Sequence, residues 1–149
     1  MRAFRALKER SDEFDLVIDN GSLAYGNLKI QKKLGLPILG IIHHPITVDR
    51  RLELDNARTF LERLGKRRWY AFTRMQTRVC QKIQRIITVS ESSKEDISHD
   101  HKVDINKIHV VPIGIDTDFF APQTDIERIP GRIVSTASAD VPLNCLLYT

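Results

Sequence analysis

Short apolar runs alternate along this chain with longer segments in which apolar residues recur at helical spacing. The runs at residues 15–18, 37–42, 86–89 and 108–111 are rich in β-branched residues and have the length of strands buried in a parallel sheet. A helix-length segment follows each of the first three runs. This alternation predicts an α/β fold with a Rossmann-like parallel sheet and helices on both faces.

The intervening segments predict five helices. The first two helices span residues 1–10 and 23–34, and the next two lie within 52–84 and are hinged near Gly65. The fifth helix begins at the N-cap Ser92. Both helices of the pair are expected to bury an apolar stripe. The first stripe is Ala57, Phe60, Leu61 and Leu64, and the second is Trp69, Phe72, Met75, Val79 and Ile83. We expect the basic residues of the second helix to be exposed: Arg67, Arg74, Arg78 and Lys82.

Polar residues follow the first two strands directly, as IDNGS and IIHHP. Parallel strands end at the same edge of a sheet, so Asn20 and His43 should lie close together there. Successive strand residues point to opposite faces, which places His43 and His44 poorly for holding one metal ion. Asp49 suits the N-cap of a helix beginning at Leu52, and Arg50 suits a phosphate or carboxylate.

Two segments, ITVSESSKEDI and KIHVVPIGIDTDFF, resemble the end of the N-terminal domain of GT-B glycosyltransferases of the family 4 type. The most specific part is the ending from Gly114 to Phe120. The resemblance implies a partial N-terminal, acceptor-side domain at 1–121, an interdomain linker at 122–131 and the start of a truncated donor domain at 132–149. Asp116-Thr117-Asp118 spells a metal-binding motif of another fold, but here it matches the GT-B linker.

The same resemblance implies a transferase that moves a hexose from a nucleotide-sugar to an acceptor, with retention and without a metal or cofactor. His43 matches a histidine at the reaction centre that contacts the transferring sugar. The residues implied on the acceptor side are Asn20, His44, Asp49 and Arg50. Those implied at the donor side and interdomain crevice are Gly114, Ser138 and Asn144. Similar enzymes have an arginine and a lysine at the last two positions, so we expect the 149-residue chain alone to be inactive.

Charge is distributed unevenly, since residues 49–85 carry a net charge of +7 and the rest of the chain −3. The basic helices at 50–85 are either a solvated face or a peripheral contact with an anionic membrane. The charge accompanies no nucleic-acid-binding motif, so nucleic acid is not an expected partner. The alternative to an enzyme is therefore a non-catalytic basic module that binds an anionic partner or membrane.

The 149 residues are 42% hydrophobic and 28% charged, in the range of ordered globular domains. No apolar run reaches the roughly 18 residues that span a bilayer, and a cytoplasmic location is expected, with possible contact at the inner face of the membrane. Cys80 and Cys145 lack metal-site spacing and are expected to be thiols.

Overall fold

Four parallel strands form one sheet in the order β1-β2-β3-β4, which confirms the predicted α/β, Rossmann-like fold with flanking helices. This computed structural model describes residues 2–121, 127 and 129–132. The strands are β1 (Val17–Asn20), β2 (Ile38–Ile41), β3 (Arg85–Thr88) and β4 (Ile108–Val110). The chain divides into two units, Met1–Pro112 and Ile113–Thr149, and the sheet belongs to the first.

Six α-helices accompany the strands in the described part of the chain. They are α1 (Arg2–Lys8), α2 (Tyr25–Leu34), α3 (Ile46–Asp55), α4 (Phe60–Trp69), α5 (Thr73–Cys80) and α6 (Glu91–His101). Short 3₁₀ turns occupy Ser11–Glu13, Tyr70–Phe72 and Ile105–Lys107. Gly35 ends α2 in the left-handed conformation at φ 73°, as the Gly-x-Pro sequence after the helix predicted.

The core lies between the sheet and the neighbouring helices α2, α5 and α6. Ile38 and Ile86 on the strands are almost fully buried, as are Val79 and Ile83 at and after the end of α5. β2 approaches this layer closely at Gly40, where a Cβ atom would lie only 2.7 Å from Cδ1 of Ile83. A larger residue at position 40 would therefore force the Ile83 side chain to move.

The region between β2 and β3 differs from the predicted pair of helices. Helix α3 begins at Ile46, six residues before the expected start, and α4 runs through Gly65 without a hinge. The chain bends instead before α4 and again at the 3₁₀ turn Tyr70–Phe72. Thr59 caps α4 by accepting the Glu62 N–H at 3.1 Å, which is a capping-box pattern that the sequence analysis overlooked.

The apolar stripe of α4 was predicted to be buried, and this prediction is wrong. Phe60, Leu61 and Leu64 are exposed, at 78%, 77% and 53%. Polar contacts orient the helix instead: Lys66 donates a hydrogen bond to the backbone carbonyl of Glu53 at 3.1 Å and lies 2.9 Å from the Glu62 carboxylate. These contacts turn the Lys66 side of α4 toward α3 and leave the apolar stripe in solvent.

The second stripe is confirmed only in its C-terminal part. Val79 and Ile83 are buried, Phe72 and Met75 are partly buried, and Trp69 is 73% exposed. Trp69 is the last residue of α4 and does not share the buried face of α5, because the 3₁₀ turn interrupts the helical spacing. The basic residues of this stretch are exposed as predicted: Arg67, Arg74, Arg78 and Lys82.

Helix α6 begins two residues earlier than expected. Its N-cap is Ser90, whose hydroxyl accepts the Ser93 N–H at 3.2 Å, and the predicted cap Ser92 lies inside the helix. Either serine fits the cap preference, and the end of β3 at Thr88 selects the first one. The strand-to-helix junction that the sequence predicted is therefore present, with a boundary shifted by two residues.

In the second unit, Asp116 organises a turn. Its carboxylate accepts the backbone N–H groups of Asp118 and Phe119, both at 3.0 Å, as in an Asx turn. The predicted strand at residues 132–136 and the predicted thiol Cys145 lie outside the described residues, except for Arg132. Among the helices that the structure describes, none is both long enough and apolar enough to cross a membrane.

Cys80 is a free, fully buried thiol at the end of α5, and burial raises its pKa to about 12. Because the thiolate is the reactive form, we expect Cys80 in a Cys145→Ser variant to react with a disulfide reagent at mildly alkaline pH roughly 10³-fold more slowly than an exposed thiol. The control adds Ser92→Cys on the exposed surface of α6 to this variant. One thiol per chain, that of the new cysteine, should then react rapidly with the reagent. Rapid labelling of Cys80 without denaturant would show that the α5 core opens readily.

Candidate functional site

Asn20 and His43 meet where β1 and β2 end. The parallel register pairs Asn20 with Ile41, so the loops after both strands leave the sheet at the same edge. Nε2 of His43 lies 3.0 Å from Oδ1 of Asn20, which confirms the predicted proximity of the two residues. β2 lies between β1 and β3, so this pair is at the end of a central strand.

The hydrogen bond to Asn20 defines which nitrogen of a neutral His43 carries the proton. An amide oxygen only accepts hydrogen bonds, so Nε2 must donate and Nδ1 is left as an acceptor. The side chain of His43 is exposed, and Nδ1 has no hydrogen-bond partner among the described residues. The site therefore offers an oriented imidazole acceptor to a hydroxyl group.

His44 has a different partner. Its Nε2 donates to the Asp49 carboxylate at 2.7 Å, while His43 binds Asn20, so the two rings are held apart by separate neighbours. Asp49 lies in the first turn of α3 and is not its N-cap, because Pro45 occupies that position. The predicted capping role of Asp49 is therefore wrong. Within the described ranges, no three His, Cys, Asp or Glu side chains are grouped as a metal site.

A buried carboxylate supports the loop that follows Asn20. Asp19, 8% exposed, accepts hydrogen bonds from the Leu23 N–H and the Asn27 side-chain amide, both at 2.7 Å, and from the Ser22 hydroxyl. Leu23 has a positive φ of 45°, which is unfavourable for a residue with a Cβ atom. Asp19 thus holds a strained turn beside Asn20, a role that the sequence analysis did not identify.

A crevice of about 290 Å³ lies beside this pair. Its lining includes Asn20, His43, His44, Gln76 and His101. The hydroxyl of Ser93 at the start of α6 donates to the backbone carbonyl of His43 at 3.4 Å, so three strand-end loops contribute to the edge. Gln76 and His101 were not predicted to belong to it, since each is part of a helix whose register with the sheet only the fold reveals.

Burial lowers the pKa of His101, whose Nδ1 contacts the Thr77 hydroxyl at 2.9 Å. A lowered pKa keeps the imidazole neutral at physiological pH, so His101 adds a polar but uncharged wall to the crevice. His101 is 1% exposed and serves as a buried connection between α5 and α6.

Arg50 is not among the residues that line the crevice. Arg50 lines a separate cleft formed by α3, α4 and α5. Gly114 is exposed in the second unit. Ser138 and Asn144 lie outside the described residues, so their predicted place on the donor side stays a prediction.

Comparison with known proteins gives two matches. Residues 1–119 match the model of Glycosyltransferase Family 4. The chain is also 46% identical over 143 residues to a protein from Mycolicibacterium hassiacum named MMP alpha-(1->4)-mannosyltransferase. That alignment covers 96% of this chain and 34% of the relative, so the chain spans about a third of the relative's length.

The carboxylate of Asp19 leads to a stability prediction. Asp19→Ala should lower the free energy of unfolding by about 2–4 kcal/mol, because it leaves the buried Leu23 N–H and the Asn27 amide without an acceptor. Asp19→Asn keeps one acceptor oxygen and should cost less. Urea denaturation of these variants, with the exposed Asp12→Ala as a control, measures the difference. An alanine variant as stable as the asparagine variant would contradict the proposed support of the loop.

Proposed function

The chain belongs to glycosyltransferase family 4, and on that premise we propose that it provides the acceptor side of a hexosyl transfer from a nucleotide-sugar. The observation that carries the proposal is the hydrogen-bonded pair Asn20–His43 at the carboxyl edge of a central parallel strand. Ligands of open parallel sheets bind at that edge. The family supports the reaction type, and the pair supports its proposed place on this chain.

The proposed reaction replaces one bond at the anomeric carbon of the donor sugar. An acceptor hydroxyl oxygen bonds to that carbon, the bond to the diphosphate oxygen breaks with its electron pair, and the hydroxyl proton leaves with the diphosphate. We propose retention of configuration and no metal ion. Donor groups that are already oriented toward the departing charge stabilise such a transition state.

In this proposal His43 contacts the transferring sugar through Nδ1. Asn20 accepts from Nε2 and so fixes the orientation of the ring and the position of its proton. The neighbouring pair His44–Asp49 lies one residue further along the loop, where it offers a second oriented imidazole to the acceptor. Asn20 and Asp49 are then positioning residues, and the two histidines make the contacts.

The named relative makes mannose the first donor sugar to test. Because the chain spans about a third of that relative, transfer is best measured in a chimera in which residues 1–121 of this chain replace the matching segment of the Mycolicibacterium hassiacum protein, so that Ser138 and Asn144 are left out. The chimera keeps the residues of this chain around His43 and supplies the remainder from the relative. The chimera and the unaltered relative differ only on the acceptor side, so comparing their activities separates the contribution of the acceptor side from that of the donor side.

In this chimera, His43→Ala should lower kcat by about ten-fold or more, because it removes a group that contacts the transferring sugar. His44→Ala is the matched comparison and should mainly raise KM for the acceptor. Steady-state kinetics with nucleotide-mannose donors separate the two effects. Unchanged turnover in the His43 variant would remove the reaction centre from this loop.

The exposed stripe of α4 favours a second activity, peripheral contact with an anionic membrane. Phe60, Leu61 and Trp69 are each more than 70% exposed. Arginines flank them on the same helix: Arg63, Arg67 and Arg68. Apolar side chains beside basic ones suit insertion at the surface of an anionic bilayer, where each basic residue contributes about 1 kcal/mol.

Trp69 is the only tryptophan in the chain, so its fluorescence reports this contact directly. We expect a blue shift with phosphatidylglycerol vesicles and none with phosphatidylcholine vesicles. Phe60→Ser/Leu61→Ser should abolish the shift because it removes apolar surface, whereas Ile113→Ser/Ile115→Ser, which also removes two exposed apolar residues, should not. A blue shift that depends on protein concentration without vesicles would instead identify a second copy of the chain as the partner.

A further inference from the structure

A second cleft, of about 690 Å³, lies among α3, α4 and α5, and it shares no lining residue with the crevice at His43. Four arginines from these three helices line it, and we call it the arginine cleft: Arg50 from α3, Arg67 and Arg68 from α4, and Arg74 from α5. Leu64 and Ala71 supply apolar wall, and three threonines contribute hydroxyl groups. The cleft lies within the first unit of the chain.

The four guanidinium groups have no carboxylate partner within the part of the chain that the structure describes. Among the residues that the structure describes, none of the four forms an ion pair, whereas Arg10, Arg51 and Lys66 each do. Like charges that line one concavity repel one another, and an anion bound between them relieves that repulsion.

The acidic group in the wall of the cleft is already engaged. Asp100 accepts a hydrogen bond from His99 at 2.9 Å and lies 3.8 Å from Arg51. Burial pushes the pKa of Asp100 up, but its hydrogen bonds and the charge of Arg51 hold the pKa below its usual value. Asp100 is thus ionised, and among the described residues it forms no ion pair with the four arginines, while its Oδ2 atom is buried without a hydrogen-bond partner.

We propose that the arginine cleft binds phosphate groups of a ligand that carries at least two negative charges. The planar guanidinium group donates two parallel hydrogen bonds to phosphate oxygens, and arginine is more weakly hydrated than lysine. The volume of about 690 Å³ exceeds what one phosphate ion occupies, so the cleft has room for a diphosphate or two neighbouring phosphate groups. The site is distinct from the transfer site at His43 and does not depend on the proposed reaction.

Two sources of phosphate share this chemistry, a soluble phosphorylated compound and the headgroups of a phospholipid surface. Leu64 belongs both to the cleft wall and to the exposed apolar stripe of α4, so a lipid headgroup in the cleft would place its acyl chains beside that stripe. A soluble diphosphate would use the guanidinium groups alone. The experiment therefore needs one arm for each source.

The first arm titrates the full chain with inorganic pyrophosphate by calorimetry at low ionic strength. We expect saturable binding that weakens with added salt, and a dissociation constant raised about ten-fold or more in Arg67→Gln/Arg74→Gln. The control Arg2→Gln/Arg5→Gln removes the same charge from exposed positions on α1 and should leave the constant within about two-fold. Equal weakening in both double variants, or no saturable binding to the unaltered chain, would overturn the proposal.

A second readout needs no substitution. Pyrophosphate should protect Arg67, Arg68 and Arg74 from modification by phenylglyoxal, while Arg2 and Arg5 stay reactive, as peptide mass spectrometry would show. Uniform reactivity with and without pyrophosphate would also refute the site. This measurement decides the question even if the double variant does not fold.

The second arm uses vesicles and assigns the source. If pyrophosphate displaces the chain from phosphatidylglycerol vesicles, and Arg67→Gln/Arg74→Gln loses vesicle binding, the phosphate groups come from lipid. If vesicle binding survives in that variant while pyrophosphate binding is lost, the ligand is a soluble phosphorylated compound. Both outcomes require the arginine cleft, and they differ only in what fills it.

Discussion

The parallel alignment of β1 and β2 is the constraint on which the candidate site depends. Their hydrogen-bonded register brings Asn20 level with Ile41, and the chain beyond β2 then carries His43 back to Asn20. A shift of one residue would exchange the two faces of a strand, so this register also determines which side chains enter the core. The same backbone hydrogen bonds between β1 and β2 thus determine which side chains enter the core and bring Asn20 and His43 together at the edge of the sheet.

Helix α3 connects the two polar regions of the first unit. Its first turn supplies Asp49 to His44, and the next residue, Arg50, lines the arginine cleft. One helical turn therefore contributes to the hydrogen-bonded histidines of the crevice on one side and to a strongly basic concavity on the other. This arrangement depends on the early start of α3 directly after Pro45. If residues 46–51 formed a loop, as predicted, the side chains of Asp49 and Arg50 would not both be held in place by a helix.

The sequence predicted the features that local chemistry controls. Strand identities, the end of α2 at Gly35 and the meeting of Asn20 with His43 all follow from short patterns, and the structure confirms them. The orientation of α4 could not be predicted in this way, because the face that a helix turns toward the rest of the chain depends on contacts between distant positions, such as that of Lys66 with the Glu53 carbonyl. The support from Asp19 was also missed, because a carboxylate at the end of a strand that binds groups of the following loop and helix has the same sequence signature as a turn residue.

Leu23 shows what the strained turn means for substitution of this loop. A positive φ normally favours glycine, since a left-handed conformation costs other residues roughly 1–2 kcal/mol. The Leu23 side chain is 3% exposed, and burying leucine contributes about 1.5–3 kcal/mol, so its packing offsets the backbone cost. Glycine would relax the backbone and empty part of the core, whereas valine or isoleucine would fill the core and worsen the backbone. Conformational preference and packing thus select opposite residues at one position, which leaves this loop few neutral routes by which its sequence can drift.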